Sequence, residues 1–224
     1  ENLWAETYER STTDVLELHS AIARTIAQQI RLALTPSEEK ILSAKRTVNP
    51  EAFDLVARAN YLLTTSANPD NFAKATEMMR KAVQMDPGNA DTHIGLAFSL
   101  IQSVFMAGKK PAEIVSEAER AIQRAMEIDP ERGRAYTLRG QLLWIRGDIA
   151  GCLEAHKKAV ELNPNDGLIR TMNSWMLMLE GHHDEGVREA EKAVELDPLS
   201  HFARCNLMGW YYAVHRFADS RAEA

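Results

Sequence analysis

The sequence predicts an all-α fold: a right-handed α–α solenoid of antiparallel helix pairs, with an amphipathic helix at the amino terminus. Three observations carry this expectation. Leu, Ile, Val, Ala and Met dominate while Gly (11) and Pro (8) are sparse in 224 residues, which favours helices over a turn-rich sheet protein. Four segments align with one another, KAVQMDP (81–87), RAMEIDP (124–130), KAVELNP (158–164) and KAVELDP (192–198), and their prolines are spaced by 43, 34 and 34 residues. A period of this length marks one helical hairpin per repeat, which cannot bury its apolar face alone and must stack on its neighbours. Finally, Val15, Leu18, Ile22, Ile26 and Ile30, with Ala23, Ala27 and Ala33 beside them, recur at helical spacing between Asp14 and Leu34.

Residues 1–48 show no repeat period. LWAETYER (3–10) alternates as a strand would, and a lone strand is marginal by itself. The helix from Asp14 to Leu34 takes its cap from Ser11, Thr12 or Thr13, whose hydroxyls accept from free first-turn amides. TPSEEK (35–40) reads as a capping box, Thr35 at N-cap, Pro36 at N1 and Glu38 at N3, opening a short helix to about Lys45. Asn49 and Pro50 then form a cap-plus-N1 start for the array, which is divided as 49–89, 90–132, 133–166, 167–200 and a truncated 201–224.

Within 133–166 the chain opens at Gly133 and places Tyr136, Gly140 and Leu143 at large, small and large positions of a first helix; Gly147 and Asp148 form the turn. Cys152 and Ala159 are the small residues of a second helix, and Pro164 closes it. These residues at a 34-residue period resemble the tetratricopeptide repeat. The next repeat runs from Gly167 through Gly181 to Ala193 and Pro198, and the last places Leu207, Tyr211 and Phe217 in family positions. The segment from Ala90 to Pro130 carries nine extra residues around VFMAGKKPAEI (104–114), read as a longer inter-helix loop at Gly108 and Pro111, with Ala118 and Ala125 keeping register afterwards. Pro50 to Pro87 fits with Ala59, Leu62, Phe72, Ala75 and Ala82 and a short insertion near TTSANPD (64–70). The resemblance implies about four and a half repeats in a right-handed superhelix.

A second resemblance covers the amino-terminal segment. LWAETYERSTTDVLELHSAIARTIAQQI looks like the closing strand and last helix of a TolB-like α/β domain, found in bacteria before arrays of this type; NPEAFDLVARANYLL, LNPND and LDPLS also look like that group. Such arrays are appended to transcriptional regulators, nucleotide cyclases or kinases, so the expectation is the regulatory or sensory part of a larger bacterial protein. The absence of an initiator Met and the stop inside a repeat are read the same way, as a fragment or processed product.

The tetratricopeptide resemblance also implies where contacts form, since the first helix of each repeat lines a concave groove and positions 2, 5, 9 and 12 point into it. The candidate contact residues are Phe53, Asn60, Phe98, Arg134, Gln141, Trp144, Thr171, Trp175, Met178 and Tyr212. Arg134, Asn60 and Gln141 are too scattered to clamp a terminal carboxylate, whereas Trp144, Trp175, Tyr212 and Met178 suit an apolar peptide or amphipathic helix. The competing expectation for the aromatics is packing between repeats. The expected partner is therefore a protein or peptide; an uncovered stripe on the amino-terminal helix, or the truncated last repeat, would instead pair two copies.

Other functions find less support. A formal charge of −6, from 26 basic and 32 acidic residues without a basic run, argues against nucleic acid. Cys152 and Cys205 form no CxxC pair, which fits a reducing, cytoplasmic compartment, with an extracytoplasmic one left open if a membrane span precedes the chain. No apolar run approaches bilayer length, and ENLWAETYER has no signal-peptide character. Phosphate-loop, zincin and nucleophile-elbow motifs are absent, so neither an enzyme nor a cofactor is expected. His93 and His156 fall at large packing positions. EGHHDEG (180–186) is the one stretch resembling a metal site; in register it is the turn of the fourth repeat, with His182 facing solvent, His183 packing partly inward, and Asp184 and Glu185 favoured by the helix dipole. A small-ligand or metal sensor using the groove or this turn is the alternative to peptide binding.

Overall fold

The computed structural model describes residues 49–65 and 68–216, together with Ile22, Thr25 and Ile26, which are helical. The strand expected at 3–10, the capping box at 35–40, Phe217 and most of the amino-terminal helix lie outside the described residues. Nine helices follow in order among the described residues: α1 (Pro50–Thr65), α2 (Pro69–Met85), α3 (Ala90–Ala107), α4 (Pro111–Ile128), α5 (Gly133–Ile145), α6 (Ile149–Leu162), α7 (Gly167–Leu179), α8 (His183–Leu196) and α9 (His201–Ala213). The odd-numbered helices are helix A of successive repeats and the even-numbered ones helix B.

Local chemistry sets the ends of these helices. Asn49 accepts from the amides of Glu51 (3.0 Å) and Ala52 (3.2 Å), so the cap read from Asn49–Pro50 is made. Asn68, Asn89, Asp148, Asp166 and Ser200 cap α2, α3, α6, α7 and α9 through side-chain oxygens, each satisfying a donor that the helix cannot. Every B helix ends the same way: Asp86, Asp129, Asn163 and Asp197 are C-caps with non-helical ψ between 67° and 91°, because the proline after each excludes the α region. Between A and B, Gly147 (φ 82°) and Gly181 (φ 83°) turn the chain in the left-handed region. The amides of Asp148 and His182 then return to Leu143 O (2.9 Å) and Leu177 O (2.8 Å), a glycine helix stop of the Schellman type.

The surplus nine residues of the second repeat do not form a longer loop. Helix α3 has 18 residues against 13 in α5, and α4 has 18 against 14 in α6, which absorbs all nine and leaves three-residue turns in both. The added turn is helical because it has its own apolar contacts, with Ile114 buried and Val104 packed beside it. Gly108 (φ 66°) ends α3 with the Lys109 amide on Ser103 O at 3.1 Å, and Pro111 starts α4.

Small residues let the layers close. Ala59, Ala75, Ala82, Ala97, Ala118, Ala125, Ala135, Ala159 and Ala193 have no exposed surface, so successive helices approach until backbones meet. One apolar core runs from α1 through α5, and a second joins α7, α8 and α9 around Met178, Val187, Leu207 and Tyr211. Each A helix contacts the next A helix, while no comparable backbone contact joins successive B helices among the described residues. The A helices therefore lie on the inside of the curve and line the concave side.

Candidate groove on the concave side

The A helices place the ten candidate residues unevenly. Phe53, Asn60, Arg134, Trp175 and Tyr212 are exposed, Trp175 by 39% and Tyr212 by 67%, and Phe98 and Trp144 are half-buried. Gln141 (5%), Thr171 (1%) and Met178 (7%) are buried and present no surface to a ligand. Helix packing within and between repeats closes over them. Gln141 Nε2 donates to Met172 Sδ of the next repeat at 3.0 Å, Thr171 Oγ1 donates back to Gly167 O at 2.8 Å, and Met178 fills the space over Gly186.

The apolar surface left open is one-sided. Of the large hydrophobic side chains exposed among the described residues, Phe53, Tyr61, Phe105, Met106, Leu168, Trp175, Leu179, Phe202 and Tyr212 are on A helices, Met85 is on a B helix, Leu199 is in the turn after α8 and Ile26 is in the amino-terminal segment. The B helices instead show charged outer faces, as at Glu119, Arg120, Gln123, Arg124 and Glu127 of α4. Scattered exposed hydrophobics are ordinary; a concentration on one face is not.

Two aromatic pairs bridge repeats within this face. The rings of Phe105 (α3) and Trp144 (α5) lie 5.8 Å apart and tilted by 37°, and those of Trp175 (α7) and Trp210 (α9) meet edge-on at 5.2 Å and 73°. Such pairs add about 0.5–1.5 kcal/mol beyond area burial. Trp210 Nε1 also donates to Ser174 Oγ (3.2 Å), which donates to Asn206 Oδ1 (3.0 Å), a buried polar link between α7 and α9. Trp144 and Trp175 thus pack between repeats and keep accessible surface. Phe105 was not among the residues read from the sequence, because it lies in the added turn, where family positions have no counterpart.

The groove's charges are already matched. Arg134 Nε donates to Asp166 Oδ2 at 2.8 Å, and Arg132 to Asp91 Oδ2 at 2.6 Å, each joining neighbouring repeats along the edge formed by the helix A amino termini. On the outer side Arg80 grips Glu117 with Nε and Nη2 at 2.7 and 2.8 Å, and that hydrogen bonding holds the Glu117 carboxyl below the ordinary carboxylate range.

Other titratable groups are structural. His156 is wholly buried on α6, with no protein partner for either ring nitrogen, and burial lowers its pKa from 6.5 to about 4. His93 is buried with Nε2 3.0 Å from Pro87 O. His182 and His183 are both exposed, so the partly inward packing expected of His183 does not occur. His183 opens α8, where the matching residue of the preceding repeat, Ile149, is half-buried. Among the described residues no group of three His, Cys, Asp or Glu is arranged to hold a metal ion, and no helix is long and apolar enough to cross a membrane.

Residues 133–166, the pair α5–α6, match the family model of the tetratricopeptide repeat. The α5–α6 pair is a tetratricopeptide repeat, and the other helix pairs share its helix–turn–helix form. Solved structures share the fold of the array: a thermophilic tetratricopeptide protein of Thermus thermophilus superposes with a TM-score of 0.61 at 14% identity, over 77% of this chain and 87% of that one. The pilF protein of Pseudomonas aeruginosa superposes at 0.53 and 15% identity, over 78% and 73%. In sequence, this chain is 29% identical over 147 residues to a putative adenylate cyclase 3 of Rhizobium meliloti (strain 1021), covering 65% of this chain and 25% of that protein. The chain thus spans about a quarter of that relative's length. Tetratricopeptide arrays are in general protein-interaction scaffolds rather than enzymes.

Proposed function

We infer that this array binds a protein segment, an apolar peptide or amphipathic helix, in the concave groove, and that it serves as a regulatory or sensory part of a larger bacterial protein, without catalytic activity of its own. The observation that carries the reading is the concentration of exposed large apolar side chains on the A helices, which hold nine of the twelve among the described residues, the others being Met85 on a B helix, Leu199 in the turn after α8 and Ile26. Aromatic and apolar anchors supply most of the energy at such interfaces, and their charged surroundings supply little. The likeness to part of a putative adenylate cyclase supports a place beside an effector.

The test is selection of binding peptides from a random displayed library against the whole chain, followed by competition with groove and outer-face variants. Peptides that lose binding to a Phe53→Ala/Tyr212→Ala variant but keep it for Arg124→Ala/Glu127→Ala support the groove. Selection of no peptide, together with a saturable thermal shift on adding a metal ion or metabolite, would overturn this reading in favour of small-ligand sensing.

A further inference from the structure

We propose that His201 and Cys205 of α9 are one half of a zinc site, completed by the same two residues of a second copy of this chain, so that a single ion joins two arrays through α9. The site is independent of peptide binding in the groove.

The ligand pair is already at chelating distance. His201 and Cys205 stand at i and i+4 on one face of α9, both exposed, with the imidazole Nε2 3.3 Å and Nδ1 3.8 Å from Sγ. A tetrahedral zinc ion holds a thiolate at about 2.3 Å and an imidazole nitrogen at about 2.0–2.1 Å, which sets sulfur and nitrogen about 3.5 Å apart. A turn of the exposed ring therefore aims Nε2 at an ion shared with Sγ without moving the backbone. Thiolate with imidazole suits Zn2+ and Co2+ and does not suit Mg2+ or Ca2+, which take oxygen ligands. A structural zinc ion needs four protein ligands, and among the described residues no third His, Cys, Asp or Glu is grouped with these two.

The surface around the pair suits a second copy as the source of the other two. Phe202 (47%) and Tyr212 (67%) flank it on α9, and Leu199 in the preceding turn is 94% exposed. The residues in register with Cys205 and Tyr212 one repeat earlier, Thr171 and Met178, are buried, so α9 leaves bare what α7 covers. A two-fold contact between identical chains sets any charge on the patch against its own sign. The stripe His201, Phe202, Cys205, Gly209 and Tyr212 contains no Asp, Glu, Lys or Arg, and a Cβ at Gly209 would meet nothing within 4 Å, which leaves room for a crossing helix. Two α9 helices crossing near Cys205 bring two sulfurs and two imidazoles to one point. On binding, each Cys205 releases its thiol proton to solvent and each His201 enters as neutral imidazole. The two thiolates then cancel the charge of the ion, so the apolar contact encloses no net charge.

The experiment uses the whole chain, reduced and stripped of metal with a chelator, with Zn2+ or Co2+ as the only additions and no peptide present. Sedimentation velocity is expected to show the mass double on adding Zn2+ and return on adding the chelator. Co2+ should saturate at one ion per two chains, with the visible bands of a tetrahedral ion and a thiolate charge-transfer band. Cys205→Ser and His201→Ala should each abolish the dimer and the charge-transfer band, whereas a His182→Ala/His183→Ala variant should keep both. Phe202→Glu, which sets like charges across the two-fold, should raise the Zn2+ concentration needed for dimerisation. Absence of a thiolate band, saturation at one ion per monomeric chain, binding indifferent to Cys205→Ser, or a dimer that survives the chelator would each overturn the proposal and leave the groove reading standing.

Discussion

Gly140 and His156 fit against each other without room for a methyl group: a Cβ at residue 140 would lie 2.5 Å from His156 Cδ2 and 2.7 Å from Nε2. Helix α5 can pass this close to a wholly buried imidazole on α6 only because residue 140 has no side chain. The matching pairs elsewhere are Ala97 with Ile122 and Ser174 with Ala190, so the bulk is divided differently in each repeat.

Gly140→Ala sets two effects against each other. Alanine gains about 1 kcal/mol of helix propensity, while overpacking a closed core costs about 1–3 kcal/mol. The ring cannot withdraw and Cys152 O waits at 3.2 Å, so the clash wins and a net loss of about 1–2 kcal/mol is expected. In a His156→Ala background the obstacle is gone and Gly140→Ala should become stabilising. Urea unfolding of the four proteins of this double-mutant cycle checks it; additive effects would contradict the contact.

His156 also sets a pH response. Its folded pKa of about 4 lies below the ordinary 6.5, so the unfolded chain binds the extra proton. Stability from this residue is complete above about pH 6.5 and falls as pH drops through the interval down to about 4, by on the order of 3 kcal/mol in all. His156→Leu should flatten that part of the profile. Thermal midpoints of both proteins between pH 7.5 and 4.5 decide it, parallel curves being the adverse outcome.

Asp166 joins two repeats by doing two things at once. Its Oδ1 accepts from the amides of Leu168 (3.0 Å) and Ile169 (3.2 Å), and its Oδ2 takes Arg134 Nε at 2.8 Å. Asp166→Asn keeps the cap and loses only a partly exposed ion pair, a cost of about 0.5 kcal/mol or less. Asp166→Ala loses both and should cost roughly 1–2 kcal/mol. Chemical denaturation of the two variants separates the contributions, and equal losses would mean that the cap contributes nothing.

The two thiols should behave oppositely toward an alkylating reagent. Cys205 is exposed, with His201 Nε2 at 3.3 Å from its Sγ, whereas Cys152 is buried and desolvation pushes its thiol up to about 12. Only thiolate reacts at a useful rate. One thiol is expected to label in the native protein and the second only in denaturant, as mass spectrometry of the peptides containing Cys152 and Cys205 would show. Native labelling of Cys152 would mean that the repeat opens.

The repeat architecture was legible because its signals are local. Each B helix must stop before Pro87, Pro130, Pro164 or Pro198, and Gly147 and Gly181 match turns 34 residues apart. How closely neighbouring helices approach is not local, and there the reading departs from the structure: Gln141, Thr171 and Met178 occupy groove positions by count but are buried, Gln141 against Met172 of the next repeat and Met178 over Gly186 of its own. The insertion near Gly108 carried both loop-like residues and the apolar pair Val104 and Ile114, and only the tertiary contact of the latter decides for helix. The aromatic pairs were half visible: Trp144 and Trp175 could be counted into register, whereas their partners Phe105 and Trp210 could not, since each belongs to another repeat.

The added turn on α3 has one more effect. A groove built from identical units looks the same after each step along it, so a ligand could slide by one repeat or lie in either direction at nearly equal energy. Five extra residues lengthen α3 by roughly 7.5 Å and carry Phe105 to Trp144 at one place only. For a segment bound in the groove, that irregularity would break the translational symmetry of the surface and supply an origin for its register and polarity.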